Sequence, residues 1–156
     1  MRHSAAIACA LALGLANAQG EEPRVYQLDP FTRATTGYPG CPDGKPPLLS
    51  EREMRVTAHE RTERGTSCCL AGACECGGAY KRDPEINERV AAAIRGDPRF
   101  GDTSLWVTTT RKFVTLQGCV RDRSQKAALE RMVKRLPDVA IVWNETTIGA
   151  KAARKP

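Results

Sequence analysis

The stretch LWVTTTRKFVTLQGCV, residues 105–120, decides the fold class of this sequence. Two runs rich in β-branched residues, 105–110 and 113–120, are separated by the polar pair Arg111-Lys112. Two such runs joined by a short polar link are typical of a β-hairpin. The stretch therefore predicts two antiparallel strands that are neighbours in a sheet.

Helical patterns flank this hairpin on both sides. Before it, Asp83 is predicted to cap a helix with Pro84 at its first position, and apolar residues then recur at helical spacing. After it, Asp122 and Gln125 form a capping box for a second helix, and residues 139–147 read as a third strand. The order helix, strand, strand, helix, strand predicts an α+β fold in which the helices cover one face of a three-stranded sheet.

This unit, residues 81–149, resembles the BON domain family. The resemblance lies in three motifs: Asp83-Pro84-x-Ile86, Val114-x-Leu116-x-Gly118-x-Val120 and Val139-x-x-Val142-x-Asn144. It implies a two-layer αββαβ fold and binding to phospholipid or another component of the cell envelope. Lys112 and Asp138 stand where the family usually has glycine. Either residue can be accommodated, Asp more easily than Lys where φ is positive, so the departure bears on the turn geometry rather than on the fold.

The N-terminus has the pattern of a secretory signal peptide. Residues 5–16 form an apolar run, and Ala16-Asn17-Ala18 then ends in the small-x-small sequence that signal peptidase accepts. The run is shorter than the roughly 20 apolar residues of a membrane span. The sequence therefore predicts a signal peptide over residues 1–18, cleaved after Ala18, and export to the oxidising periplasm of a Gram-negative cell.

Residues 19–80 form a cysteine-rich extension, rich in Gly, Pro and Thr, that is predicted to be mainly loop. Ser50 and Glu53 form a capping box for one helix near residues 50–64, which Gly65 is placed to end. So little apolar surface cannot build its own core, and disulfides are expected to compensate. The exported chain would hold an even number of cysteines: Cys41, Cys68, Cys69, Cys74, Cys76 and Cys119.

Cys119 differs from the other cysteines because it lies in a predicted strand. Since Val114, Leu116 and Val120 alternate on one side of that strand, Cys119 projects to the other side, which the helices leave open. All its possible partners lie in the extension, so we predict a disulfide that pins the extension over the open face of the sheet. The sequence does not choose among the possible pairings.

A metal or redox site at the clustered cysteines is the alternative. The cluster Cys68-Cys69-x4-Cys74-x-Cys76 contains no Cys-x2-Cys pair, which structural zinc sites and thiol redox motifs use. We therefore predict disulfides, and neither a metal nor another cofactor. No hydrolase, metalloprotease or phosphate-loop motif is present either, so the sequence predicts a protein that is not an enzyme.

The positive charge lies in the second half of the chain. Residues 81–156 carry 16 basic and 9 acidic side chains, a net charge of +7, whereas residues 19–80 have a net charge of −2. They include a basic tail, residues 150–156. On the second predicted helix, the basic residues opposite or beside the apolar stripe are the predicted lipid-binding residues: Arg123, Lys126, Arg131, Lys134 and Arg135. A solvated helix face is the alternative explanation of this cluster.

These features predict a non-catalytic periplasmic protein that associates peripherally with anionic phospholipid or another envelope component, in osmotic or envelope stress protection. Trp106 and Trp143 are candidates either for additional lipid contact or for the core. Nucleic acid is not an expected partner, because the chain is exported and has no recognised binding motif. The alternative function is a structural or protein-interaction module, whose disulfide-tied extension binds an envelope protein.

Overall fold

The computed structural model describes residues 24–73, 75–76 and 78–149, without the side chains of residues 63–65 and 68. The predicted signal peptide and the basic tail lie outside this range. In chain order the elements are β1 (Val25–Gln27), β2 (Phe31–Thr36), β3 (Leu48–Ser50), α1 (Glu51–Leu70), α2 (Asp83–Gly96), β4 (Ser104–Thr110), β5 (Phe113–Val120), α3 (Arg123–Lys134), β6 (Ile141–Asn144) and β7 (Thr147–Ile148). A single 3₁₀ turn, Pro98–Phe100, follows α2.

The predicted α+β fold and its central hairpin are confirmed. Strands β4 and β5 pair antiparallel, and Thr110 lies opposite Phe113 at the turn. The predicted third strand is split into β6 and β7, which both pair parallel with β5. Apolar side chains of α2 and α3 pack on one face of this sheet, where Ile86, Leu116 and Leu129 are fully buried.

In the described part of the chain the main sheet has five strands rather than three, because the extension also contributes β2. This strand pairs antiparallel with the free edge of β4. On the helix side of the sheet, the side-chain amide of Asn87 joins β2 to β4. It donates to the hydroxyl of Thr32 at 2.7 Å and accepts from the hydroxyl of Thr109 at 3.1 Å. The extension is therefore part of the domain's core structure.

Helix α1 begins where the sequence predicts and ends later than it predicts. The Ser50 hydroxyl accepts from the Glu53 N–H, and the Glu53 carboxylate accepts from the Ser50 N–H at 2.8 Å. The helix continues through Gly65 to Leu70, since a single helical glycine costs only about 1 kcal/mol. Arg61 fastens α1 to the rest of the molecule through an ion pair with Asp29 and a stack on Tyr80 at 3.8 Å.

The prediction that Asp83 caps α2 is wrong. Asp83 is the first residue of the helix and is buried, and no side chain caps this helix. Its two carboxylate oxygens instead accept from the backbone N–H groups of Arg111, at 2.7 Å, and Lys112, at 2.8 Å. The carboxylate therefore ties the turn of the hairpin to the start of α2.

The two turns with unusual residues have left-handed backbone geometry. The φ angles are 52° at Arg111, 66° at Lys112 and 66° at Asp138, a region in which residues other than glycine are uncommon. The turn geometry is thus of the kind that glycine favours, although glycine is absent from these positions. The Asp83 carboxylate holds the first turn in place.

We expect the stability contribution of Asp83 to decrease as the pH rises. Burial raises the pKa of its carboxyl above the ordinary value of 3.8, against the opposing effect of the hydrogen bonds from Lys112 and Arg111. An acid whose pKa is raised on folding binds its proton more readily in the folded state. Its contribution is therefore fully present below the ordinary pKa and is lost as the pH rises through the folded pKa.

Denaturant unfolding of the wild type and Asp83→Asn at pH 4 and pH 7 checks this expectation. The substitution should lower the free energy of unfolding by about 1–3 kcal/mol, because one of the two acceptor oxygens becomes an NH2 group and leaves a buried N–H without an acceptor. The difference between the two proteins should be larger at pH 4. A difference that grows towards pH 7 would show that the ionised carboxylate is the stabilising form.

Candidate lipid-binding surfaces

The local sequence of α3 fixes which side of the helix faces solvent. The Asp122 carboxylate accepts from the backbone N–H of Gln125 and from the Ser124 hydroxyl. These hydrogen bonds, that of Ser124 first, lower the pKa of Asp122, so the cap is ionised at neutral pH. Leu129 and Val133 are buried against the sheet, which turns the opposite side of α3 outward.

The second half of the predicted capping box is wrong. The Gln125 side chain accepts from the N–H of Arg121, one residue before the cap. Its amide nitrogen donates to the Arg99 carbonyl and to Asp102, both at 2.7 Å. Gln125 therefore joins the start of α3 to the loop before β4.

The five predicted lipid-binding residues differ in whether their side chains bond to other parts of the protein. The Lys126 ammonium donates to the Thr146 carbonyl at 2.5 Å, and Lys134 forms an ion pair with Glu130 at 2.6 Å. The other three are exposed and form no ion pair or side-chain hydrogen bond with the described residues. We call them the α3 arginines: Arg123, Arg131 and Arg135.

The opposite face of the sheet is half covered by the extension. The predicted link from Cys119 is confirmed, because a disulfide joins it to Cys41. Beyond Cys41, the backbone N–H of Lys45 donates to the Gln117 side chain at 2.9 Å. At Gly44 the chain lies so close to Trp106 that a Cβ atom would come within 2.5 Å of the indole Cγ. We call residues 41–45 the covering segment.

A second disulfide, Cys69–Cys76, lies within the extension. The side chains of Cys68 and Cys74 are outside the described residues, so their pairing stays a prediction. Among the described residues, no group of three or more His, Cys, Asp or Glu side chains could hold a metal ion.

The two tryptophans have different environments. Trp106 is 4% exposed, beneath Gly44 and the guanidinium of Arg33, which lies 4.8 Å from its ring. Trp106 is therefore a core residue of the covered half of the sheet face and not a candidate for lipid contact. Trp143 lies on the uncovered half and is 50% exposed.

Trp143 belongs to a small apolar surface, which we call the aromatic patch: Phe113, Ile141 and Trp143. The rings of Phe113 and Trp143 meet edge to face, with their centroids 5.5 Å apart. Ile141 lies opposite Phe113 in the register of β5 and β6 and is 43% exposed. The alternation that placed Cys119 on this face also places Phe113 there, so the sequence contained the signal for the patch.

The structure is a small two-layer α+β domain with a cross-linked extension. The sequence profile of the BON domain family matches residues 82–150. The chain therefore contains a BON domain, and the extension before Arg82 lies outside the match. No curated protein and no solved structure is significantly similar to this chain. In the part of the chain that the structure describes, no helix is long and apolar enough to cross a membrane.

Proposed function

We propose that this protein is a non-catalytic, peripheral membrane protein whose BON domain binds anionic phospholipid through the α3 arginines. The observation that carries this proposal is their placement on the outer side of one rigid helix, without a partner among the described residues. A basic residue close to an anionic membrane contributes about 1 kcal/mol. Three such residues on a half of the chain with a net charge of +7 favour an anionic surface.

The compartment and the physiological role are part of this proposal. The signal-peptide pattern at the N-terminus supports export, and the disulfides Cys41–Cys119 and Cys69–Cys76 suit an oxidising compartment. In a Gram-negative cell that compartment is the periplasm, which lies between two membranes that both contain phospholipid. A role in osmotic or envelope stress protection is consistent with association with these membranes.

Co-sedimentation with vesicles tests the proposal. The protein from residue 19 onward should bind vesicles that contain phosphatidylglycerol, fail to bind purely zwitterionic vesicles, and dissociate at high salt. The triple substitution Arg123→Ser, Arg131→Ser and Arg135→Ser should weaken binding roughly 100-fold, because about 3 kcal/mol of attraction is removed.

A charge-matched control separates a local surface from net charge. Lys45, Arg52 and Lys81 are exposed basic residues outside α3, and their replacement by serine removes the same charge. This control should weaken binding only slightly. Equal losses in the two triple variants, or equal binding to zwitterionic vesicles, would contradict a site on α3.

Exposed apolar residues of the extension favour a second candidate function. Val25, Leu48 and Val56 lie on β1, β3 and α1 and are exposed to solvent. Val25 and Leu48 lie on the same face of the paired strands β1 and β3, and neighbouring exposed apolar groups are typical of protein interaction surfaces. In this alternative the extension binds an envelope protein and the BON domain is its scaffold. Absence of binding to either kind of vesicle would favour it.

A further inference from the structure

We infer that the aromatic patch is a second lipid-contact surface, which inserts into the interfacial region of an anionic bilayer. The inference rests on the proposed function in that the ligand is a phospholipid bilayer. It concerns a different surface, however, since the patch lies on the face of the sheet opposite to α3.

The register of β5 and β6 makes the patch a rigid surface. Thr115 lies opposite Trp143, and Val114 lies opposite Val142 in the adjacent position. Both valines point into the core beneath the helices. Because successive side chains of a strand point to opposite faces, Phe113, Ile141 and Trp143 are held outward by two paired strands.

The chemistry of the patch suits the boundary between headgroups and acyl chains. Tryptophan combines a large apolar ring with an N–H donor and is enriched at both interfaces of a membrane. The Arg111 guanidinium lies 5.5 Å from the Phe113 ring, where it can meet a phosphate while Phe113 enters the apolar region. The neighbouring positions on the same face, Thr108 and Thr115, carry no charge.

A bilayer fits this surface better than a folded protein does. A stable protein interface buries about 800 Å² on each partner, which is more than three side chains supply. A symmetric dimer through the patch would bring the Arg111 side chains of two copies together on one small surface. Anionic headgroups would instead neutralise Arg111, and the bilayer would accept the three apolar side chains without a matching protein surface.

The opposite positions of the patch and α3 allow the two surfaces to be tested separately. A protein bound through α3 alone holds Trp143 on the far side of a two-layer domain, away from the bilayer. Phosphatidylglycerol-containing vesicles with brominated acyl chains quench only tryptophans that enter the membrane. The triple-serine variant of the α3 arginines, which can bind only through the patch, should lose tryptophan emission on binding. The same variant with Trp143→Phe should not, because its remaining Trp106 is buried.

Affinity provides a second readout. In the same α3 triple-serine background, Trp143→Ser should weaken the remaining binding to these vesicles roughly tenfold, since an apolar contact of about 1.5 kcal/mol is lost. The fold-change should stay the same over the range of salt concentrations in which the protein still binds, because the lost contact is not electrostatic. Leu28→Ser is the control in that background, since Leu28 is an apolar residue of the extension that is 38% exposed, and it should leave the remaining binding unchanged.

Each outcome decides between the two surfaces. Binding without any quenching, or quenching that persists in Trp143→Phe, would overturn the role of the patch and leave the α3 site intact. If neither the wild type nor the variants bind any vesicle, the proposed lipid function fails and the inference fails with it.

Discussion

Replacement of Gly118 by alanine is expected to prevent the domain from reaching a stable fold. Gly118 has a φ of +117°, and a Cβ atom there would lie 2.0 Å from the carbonyl oxygen of Ser104. That oxygen belongs to the backbone of the paired strand β4, so the clash can be relieved only by separating β4 from β5. The strained backbone adds about 1–3 kcal/mol. The total should exceed about 4 kcal/mol, a large part of the stability of a small domain.

Circular dichroism and thermal unfolding measure this effect, and Gly96 offers the control. No atom lies within 4 Å of a Cβ placed at Gly96, which is the last residue of α2. Gly96→Ala should therefore be neutral or slightly stabilising, by up to about 1 kcal/mol. A Gly118→Ala protein with the melting temperature of Gly96→Ala would show that the two strands can accommodate a side chain between them.

The period of two in β5 explains why much of the fold could be predicted from the sequence. One alternation predicted the buried positions of Val114, Leu116 and Val120, and it also predicted that Cys119 reaches the extension. Local patterns of this kind depend only on residues that are near one another in the chain. The hairpin and the two helices of the BON domain were predicted for the same reason.

Interactions between distant parts of the chain could not be predicted in this way. Strand β2 buries only Ala34 in the apolar core, and Arg33 stacks on Trp106 rather than presenting an apolar side chain. The strand therefore lacks the alternation that would reveal it. Asp83 was misassigned for a related reason, because its partners are backbone N–H groups about 28 residues away, and a cap pattern is purely local.

The candidate surfaces likewise combine contacts that local sequence patterns predict with contacts that depend on the tertiary fold. The ion pair of Lys134 with Glu130 is an ordinary pair four residues apart, so the sequence contained it. The bond from Lys126 to the Thr146 carbonyl depends on the tertiary fold. Which tryptophan is exposed could not be predicted either, because Trp106 is covered by Gly44 and Arg33, and both lie more than 60 positions away in the sequence.

Loss of the disulfide that fastens the extension is expected to be the second large effect. The double substitution Cys41→Ser and Cys119→Ser should lower the free energy of unfolding by about 4 kcal/mol, because the bond closes a long loop in the unfolded chain. The two cysteines are 78 positions apart. For Cys69 and Cys76 the separation is 7, so Cys69→Ser with Cys76→Ser should cost only about 2 kcal/mol. Denaturant unfolding of both double variants gives the comparison.

The same variants test whether Cys41 also holds the covering segment in place. Without the disulfide, the segment is held by the Lys45–Gln117 hydrogen bond, by the contact of Gly44 with Trp106 and by the exposed ion pair of Asp43 with Arg33 at 2.6 Å. Single contacts of this strength, about 1 kcal/mol each, do not outweigh the entropy of a free loop. In a Trp143→Phe background, the emission of Trp106 should therefore shift to longer wavelength when Cys41 and Cys119 are replaced, and stay unchanged when Cys69 and Cys76 are replaced. An unchanged Trp106 spectrum in both would mean that β2, paired with β4, is sufficient to keep the segment over the sheet.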